Sequence, residues 1–353
     1  MVAKVIAIDG PAASGKSSAA SHLASRLAIP YVSTGAMYRA VAWAADRDGI
    51  GAEQIAEAAL EPVLNKIQME YVRKDDGAFA LKVNGGFPDA ELRGGKISAL
   101  ASLVSALPNV RNFLGKLQRS MAGADWIVME GRDIGTVVFP DAAVKIFLTA
   151  SPLERARRRL AQEGGRSIEE VAMEISERDR RDATRKIAPL KAAADAVVVD
   201  SSGLTIEATD EKIYDLVSRH SSQYRVSYGD TDQMGVVYYA NYLEIFERGR
   251  TEMLRAVGIT YRELETMGAF LPVAEVNCHY RGSALYDDLL TVRTWISAAR
   301  GARLIISGEI RRDDTVLVSS EITLCCTDAK RKARRLPTEL LAACRIYIHK
   351  VEA

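Results

Sequence analysis

Long apolar runs, paired cysteines and an excess of charge of either sign are what this chain lacks. No apolar stretch is long enough to span a bilayer, and no charged start with an apolar segment precedes the first strand-like run. Neither a membrane anchor nor a secretory leader is expected. Its four cysteines, Cys278, Cys325, Cys326 and Cys344, fall in the second half without C-x-x-C or metal-ligand spacing. A disulfide framework and a zinc site are thereby excluded, and reduced thiols suit the cytoplasm. Lys and Arg number 47 against 46 Asp and Glu, a net charge of +1, so a strongly basic nucleic-acid-binding face is not expected. Internal repeats, low-complexity tracts and a Pro- or Gly-rich linker are also missing. What remains, 48% hydrophobic and 26% charged residues, is the composition of ordinary globular domains, and 353 residues exceed one usual core, implying two.

The most informative stretch is Gly10-Pro11-Ala12-Ala13-Ser14-Gly15-Lys16-Ser17, which fits G-x-x-x-x-G-K-[ST]. In that pattern the glycines let backbone N–H groups face a triphosphate, the lysine bridges β and γ oxygens, and the hydroxyl reaches Mg²⁺. A plain Gly-Ser turn could carry the same letters, and context decides between them. Val2 to Ile8 reads as a buried parallel strand and Ser18 to Leu27 as a helix, so a helix N-terminus points at the loop. A nucleoside triphosphate and Mg²⁺ are the expected ligands.

Strands and helices alternate as far as about Arg219. Trp126 to Met129, Val144 to Leu148 and Ala196 to Val199 are short apolar runs with helical stretches between them, the pattern of a parallel sheet covered by helices. From Gln223 the texture changes to a strand, an amphipathic helix over Tyr242 to Val257 with Leu243, Phe246, Met253, Leu254 and Val257 on its apolar face, and then strands at 271–280, 289–298, 303–311 and 316–327. That order predicts an α+β second domain. The boundary is expected in the polar joint His220-Ser221-Ser222, dividing the chain into 1–220 and 221–353.

Three charged clusters accompany the phosphate loop: Ser33-Thr34-Gly35-Ala36-Met37-Tyr38-Arg39, Glu130-Gly131-Arg132-Asp133, and Glu177 to Arg185, in which Arg178, Asp182 and Arg185 share a helix face. One such cluster alone reads as a solvated helix face. Three beside a phosphate loop suit phosphoryl transfer between two anionic nucleotides, which needs several cations. With DGPAASGKS, STGAMYR, EGRDIGTVVFPDA, ERDRRDATR and IAPLKAAADAVVVDSS in this order, residues 1–219 resemble bacterial cytidylate (CMP) kinase. The resemblance implies an α/β P-loop nucleoside monophosphate kinase fold, a parallel sheet with helices on both faces, and Mg²⁺-dependent transfer from ATP to CMP or dCMP. It implies that the loop with Lys16 holds ATP, that Thr34, Arg39, Arg132 and Arg185 meet the CMP phosphate, that Ser102, Arg111 and Asp133 read the base, and that Arg178 and Asp182 hold the ribose. Glu130 stands where a carboxylate organises Mg²⁺ through water. The segment from Glu70 to Ser105 resembles the insert of the bacterial enzymes and Arg155 to Arg166 the lid. One of Arg157-Arg158-Arg159 supplies a cation to ATP on closure, with Arg157 counted among the ATP contacts; a run of three always has members facing solvent, so which of them is the catalytic one stays open.

The second domain carries Tyr228-Gly229-Asp230-Thr231-Asp232-Gln233-Met234-Gly235 just upstream of its helix, by itself a common turn-and-cap arrangement. With LPVAEVNCHYRGSALYDDLLTVRT after the helix, the stretch from Gln223 to Leu336 resembles hot-dog-fold thioesterases of the hydroxybenzoyl-CoA type, including the group associated with the Tol-Pal system. That resemblance implies a hot-dog fold, a strongly bent antiparallel sheet wrapped round the helix, with paired subunits and active sites at their interface, acyl-CoA as substrate, Asp232 as nucleophile or base, and an oxyanion site of backbone N–H groups near Tyr239. His279 reads as a packed or surface histidine. Lys330-Arg331-Lys332-Ala333-Arg334-Arg335 reads either as a contact for CoA phosphates or as a solvated run. A different pyrimidine monophosphate kinase joined to a non-catalytic oligomerisation module is the alternative.

Overall fold

A computed structural model describes residues 3–75, 79–123, 125–163, 167–185 and 187–349, which form two compact units meeting at residues 213 and 214. Among the described residues no helix is long and apolar enough to cross a membrane.

The first unit runs β1 (Ala3–Asp9), α1 (Lys16–Leu27), β2 (Tyr31–Ser33), α2 (Thr34–Arg47), α3 (Glu57–Lys66), β3 (Met69–Arg73), β4 (Phe79–Val83), α4 (Gly95–Val104), α5 (Pro108–Met121), β5 (Ile127–Gly131), β6 (Ala142–Thr149), α6 (Pro152–Glu163), α7 (Ile168–Thr184) and β7 (Val197–Asp200), and ends within α8 (Ile206–Ser218), where the division falls. Its sheet is parallel with order β2-β5-β1-β6-β7. Val5 to Ile8 of β1 are wholly buried, side chains to both faces, which requires cover on both. The phosphate loop therefore leaves the carboxyl end of the central strand, where open α/β sheets place their ligands. Gly10 is dictated by packing: a Cβ there would lie 2.0 Å from the Leu148 carbonyl oxygen of β6. The hairpin β3–β4 and helix α4 make up the expected insert. Arg166, the expected end of the lid, lies outside the described residues, and α6 with α7 supply the rest of that segment.

The second unit takes up β8 (His220–Arg225), α9 (Asn241–Ala256), α10 (Tyr261–Thr266), β9 (Val273–Tyr280), β10 (Leu289–Arg300), β11 (Arg303–Arg312), β12 (Thr315–Cys325) and α11 (Thr338–Ala343). Its sheet is antiparallel, order β8-β10-β11-β12-β9, with α9 packed on β8, β10 and β11. His220-Ser221-Ser222 is not a joint but the start of β8, paired with Thr294, Arg293 and Val292. An edge strand with one solvated face has no need of an apolar run, which is why its polarity misleads. Leu243 is likewise not on the buried face of α9, being 37% exposed, and Tyr242 takes that place because its hydroxyl accepts the Ala284 amide at 2.9 Å. The helix approaches so closely that a Cβ on Gly249 would sit 2.6 Å from Val292 Cγ1, and one on Gly308 of β11 would sit 2.8 Å from the Phe246 ring.

Candidate functional site

Lys16 opens α1 and is buried, its ammonium donating to the Pro11 carbonyl at 2.9 Å. Burial, reinforced by the Arg132 charge, pushes the ammonium down to about 7. The loop is held from the lid side. Ala12 N donates to Asp179 Oδ1 at 3.2 Å, and Asp179 pairs with Arg155, which also donates to the Ala12 carbonyl at 3.1 Å. Arg158 donates to the Ser14 carbonyl at 3.3 Å and the Ser201 carbonyl at 2.7 Å. Arg157, by contrast, is 63% exposed with Glu154 at 3.9 Å, while its neighbour Arg159 lines the cleft described next. Pro11, Gly10, Ser14 and Gly15 contribute loop backbone.

Parallel register sets a carboxylate beside a hydroxyl at the strand ends. Ile8 of β1 stands beside Glu130 of β5, and Glu130 beside Ser33 of β2. Glu130 is buried and accepts Ser17 Oγ at 3.1 Å and Ser33 Oγ at 2.5 Å. A carboxylate and a hydroxyl beside the phosphate loop are hard oxygen donors of the kind Mg²⁺ takes. One strand over, burial pushes the Asp9 carboxyl up to about 6 against the opposing effect of two amides, Gly135 N at 2.8 Å and Ile134 N at 2.9 Å. Those amides belong to the π-helical turn Ile134–Val138, so Asp9 fixes the backbone just beyond Asp133.

The opposite half of the cleft is cationic. Ala12, Ala13, Lys16, Ser17, Thr34, Arg39, Ser102, Arg111, Glu130, Arg132, Asp133, Arg178, Asp182 and Arg185 all line it. Asp133 pairs with Arg111 and lies 3.7 Å from Arg185; Asp182 accepts Arg132 Nε at 3.1 Å and lies 3.8 Å from Arg185. Thr34 Oγ1 donates to the Glu130 carbonyl at 2.9 Å. Burial and the neighbouring Arg132 push Arg178 down to about 10, and burial lowers Arg39 and Arg185 also. Arg39 Nε and Arg185 Nη2 are buried without a hydrogen-bond partner. Guanidinium groups that repel one another and leave donors unused are stabilised by an anion with several oxygens.

Some lining residues escape the sequence patterns. Tyr38 lies one turn beyond Thr34 on α2, and Ser98 and Ser105 flank Ser102 at helical spacing, a periodicity that could have flagged all three. Asp179 has no such signal, since its partner Arg155 is on another helix. Tyr71 of the insert clasps Ser33, accepting its amide at 3.0 Å and donating to its carbonyl at 2.8 Å.

In the second unit Asp232 sits in a small hairpin closed by the bridge Thr231 to Val237. Its amide donates to the Val236 carbonyl at 2.9 Å and its Oδ1 accepts Met234 N at 2.8 Å; no other donor reaches the carboxylate among the described residues. Asp230 two residues earlier is spent on structure, accepting Tyr224 Oη at 2.8 Å and Ser227 N at 2.7 Å. Tyr239, just before α9, is 61% exposed, and its carbonyl accepts Tyr280 Oη at 3.1 Å. Its amide donates to nothing among the described residues, and the N-terminus of α9 adds its dipole there. His279 is exposed on edge strand β9.

Residues 6–219 match the family model described as cytidylate kinase, and residues 226–344 match that of the thioesterase-like superfamily. The chain is 44% identical over 216 residues to a cytidylate kinase of Fervidobacterium nodosum, covering 60% of this chain and 95% of that one. It is 44% identical over 218 residues to a cytidylate kinase of Carboxydothermus hydrogenoformans, covering 61% and 97%. The crystal structure named "Probable Thioesterase" from Bartonella henselae is 38% identical, covers 34% of this chain and 99% of its own, and superposes with a TM-score of 0.33.

Proposed function

The chain belongs to the cytidylate kinase family through residues 6–219 and carries a thioesterase-like hot-dog domain behind it, and from that premise we propose how its two sites work. Residues 1–220 transfer the ATP γ-phosphoryl group to CMP or dCMP, and residues 221–353 hydrolyse acyl-CoA thioesters. The observation that carries the kinase reading is one cleft in which Lys16 and Glu130 face Arg39, Arg132, Arg178 and Arg185, two of these with unused buried donors.

Phosphoryl transfer proceeds through a loose transition state, so positioning and charge do most of the work. Loop amides from Gly10 to Ser17 and Lys16 hold the ATP phosphates. Ser17 and, through water, Glu130 would hold Mg²⁺, which offsets phosphate charge when bound. Arg39, Arg132 and Arg185 with Thr34 hold the acceptor phosphate in line; Arg178 and Asp182 take the ribose; Ser102, Arg111 and Asp133 read cytosine. On the ATP side Arg157 is exposed, whereas Arg158 touches the loop and Arg159 lines the cleft, so closure of α6 and α7 delivers one of the latter two. ATP and acyl-CoA are both cytoplasmic metabolites, in keeping with that location for the chain.

Restoring the charge on Lys16 has a measurable consequence. Its free-site value of about 7 leaves it largely neutral at pH 8, and the triphosphate favours the charged form. MgATP binding at pH 8 should take up close to one proton, and affinity should weaken as pH rises above 7 by up to about tenfold per unit. Calorimetry in buffers of different ionisation heat measures this, and a heat independent of buffer would contradict it.

Asp133→Asn tests the base assignment. An amide presents a donor where cytosine N4 offers one, whereas uracil O4 accepts, so the KM for CMP should rise by about tenfold more than that for UMP. An equal rise in the KM for ATP would place Asp133 on the loop side instead. The wider acceptor question is answered by turnover with CMP, dCMP, UMP and AMP in parallel; a preference for AMP would overturn the reading.

For the second site, Asp232 attacks the thioester carbonyl or activates water, and amides near Tyr239 at the start of α9 receive the developing oxyanion. The hot-dog domain forms a homodimer through β9. Support comes from its position at the sheet edge, where among the described residues no further strand pairs with it and Val273, Val276 and Tyr280 are exposed. Two-fold pairing with a second copy satisfies that edge and closes it.

A further inference from the structure

Tyr71 stands in the middle of β3, opposite Leu81 of β4, and reaches out of the insert to the edge of the parallel sheet. There β2 is the outermost strand, so among the described residues nothing but a side chain meets the outer side of Ser33. The Tyr71 hydroxyl fills that place alone, accepting the Ser33 amide at 3.0 Å and donating to the Ser33 carbonyl at 2.8 Å. Burial, with the Glu130 charge adding to it, pushes the phenol up, and Tyr71 remains a donor at any working pH. Its ring packs against the buried cluster that joins Leu81 and Val83 of β4 to Met37 and Val41 of α2. Packing thus places the ring, and the hydroxyl is left to hold Ser33.

Ser33 is a junction of three elements. Its hydroxyl accepts Ala36 N at 3.3 Å, which caps α2, and donates to Glu130 Oε1 at 2.5 Å. Ser17 Oγ of the phosphate loop donates to the same oxygen at 3.1 Å. Two hydroxyls therefore pin Oε1 from opposite strands of the argument's geometry, the β2 end and the start of α1, while Oε2 has no hydrogen bond among the described residues. Glu130 is also buried, lines the cleft and has no ion pair among those residues. A buried carboxylate with one oxygen fixed, the other free and its charge uncompensated is set to receive a cation. Hydrogen-bond partners that orient such a carboxylate are typically worth roughly ten- to a hundredfold in metal affinity.

We propose that the Tyr71 hydroxyl is a positioning group for the Mg²⁺ site: by clasping Ser33 it aims the Ser33 hydroxyl at Glu130, so the metal affinity of the nucleotide site is set from the insert. The inference rests on the reading in which Ser17 and Glu130 hold Mg²⁺. Tyr71→Phe keeps the ring and removes only the hydroxyl. Calorimetry on the full chain, with MgADP and with ADP in excess EDTA, should show the preference for MgADP reduced about tenfold, with metal-free ADP bound as by wild type. Turnover of CMP at limiting Mg²⁺ should fall accordingly, and raising Mg²⁺ should bring kcat back to within about threefold of wild type. A thermal melt on the same preparation establishes that the variant is folded. Ser33→Ala should lose the preference to the same extent, and adding Tyr71→Phe to it should cost nothing more, because both changes act through one hydroxyl.

An equal loss of MgADP and metal-free ADP would make the clasp merely structural and overturn the proposal. So would an unchanged preference, additive losses in the double variant, or a kcat that excess Mg²⁺ does not restore. Glu130→Gln keeps the two failures apart. If it binds MgADP with the wild-type preference, the metal assignment falls and the proposal with it; if it loses the preference while Tyr71→Phe keeps it, the proposal alone falls.

Discussion

Lys16→Ala should lower phosphoryl transfer from ATP to CMP by at least about a thousandfold while leaving thioester hydrolysis at the wild-type rate. Lys16 supplies the one ammonium in the phosphate loop, and the second site lies in a separate compact unit. Folding should survive the change. Burial and Arg132 depress the ammonium from 10.5 to about 7, so its charge costs the folded state at every pH below 10.5, and removing it should hold or raise Tm. Steady-state rates of both reactions with a thermal melt on one preparation check this. Loss of both activities with an unchanged melt would mean that the domains are coupled.

Asp232→Asn is expected to have the second large effect. The side chain keeps its size and can still accept the Met234 amide, so the hairpin is preserved, but the negative charge needed for attack or proton removal is gone. Hydrolysis of any acyl-CoA should fall at least about a hundredfold, with CMP phosphorylation unaltered. A variant as fast as wild type would make the domain an oligomerisation module with an unused acyl site.

Much of this architecture was legible because its signals are local. The phosphate loop announces itself by spacing, and the strand before it and helix after it by apolar runs; Glu130, Arg132 and Asp133 follow from a strand ending in charge. What was not legible depends on distant partners. Which arginine of Arg157-Arg158-Arg159 turns inward is decided by where α6 meets Ser14 and Ser201, not by its own letters. Asp179 matters through Arg155 and the Ala12 backbone, contacts between separate elements. His220 to Ser222 looked like a joint because a half-solvated strand is polar, and Tyr242 displaced Leu243 from the α9 face because one amide was there to satisfy its hydroxyl.

The central claim is that one chain carries two working sites, and a single preparation assayed for both tests it most directly. Purified protein should convert ATP and CMP to ADP and CDP in preference to UMP or AMP, and should hydrolyse at least one of a short, medium, long or aromatic acyl-CoA. Absence of CDP formation would contradict the kinase site, and no turnover across the acyl-CoA series would contradict the thioesterase site.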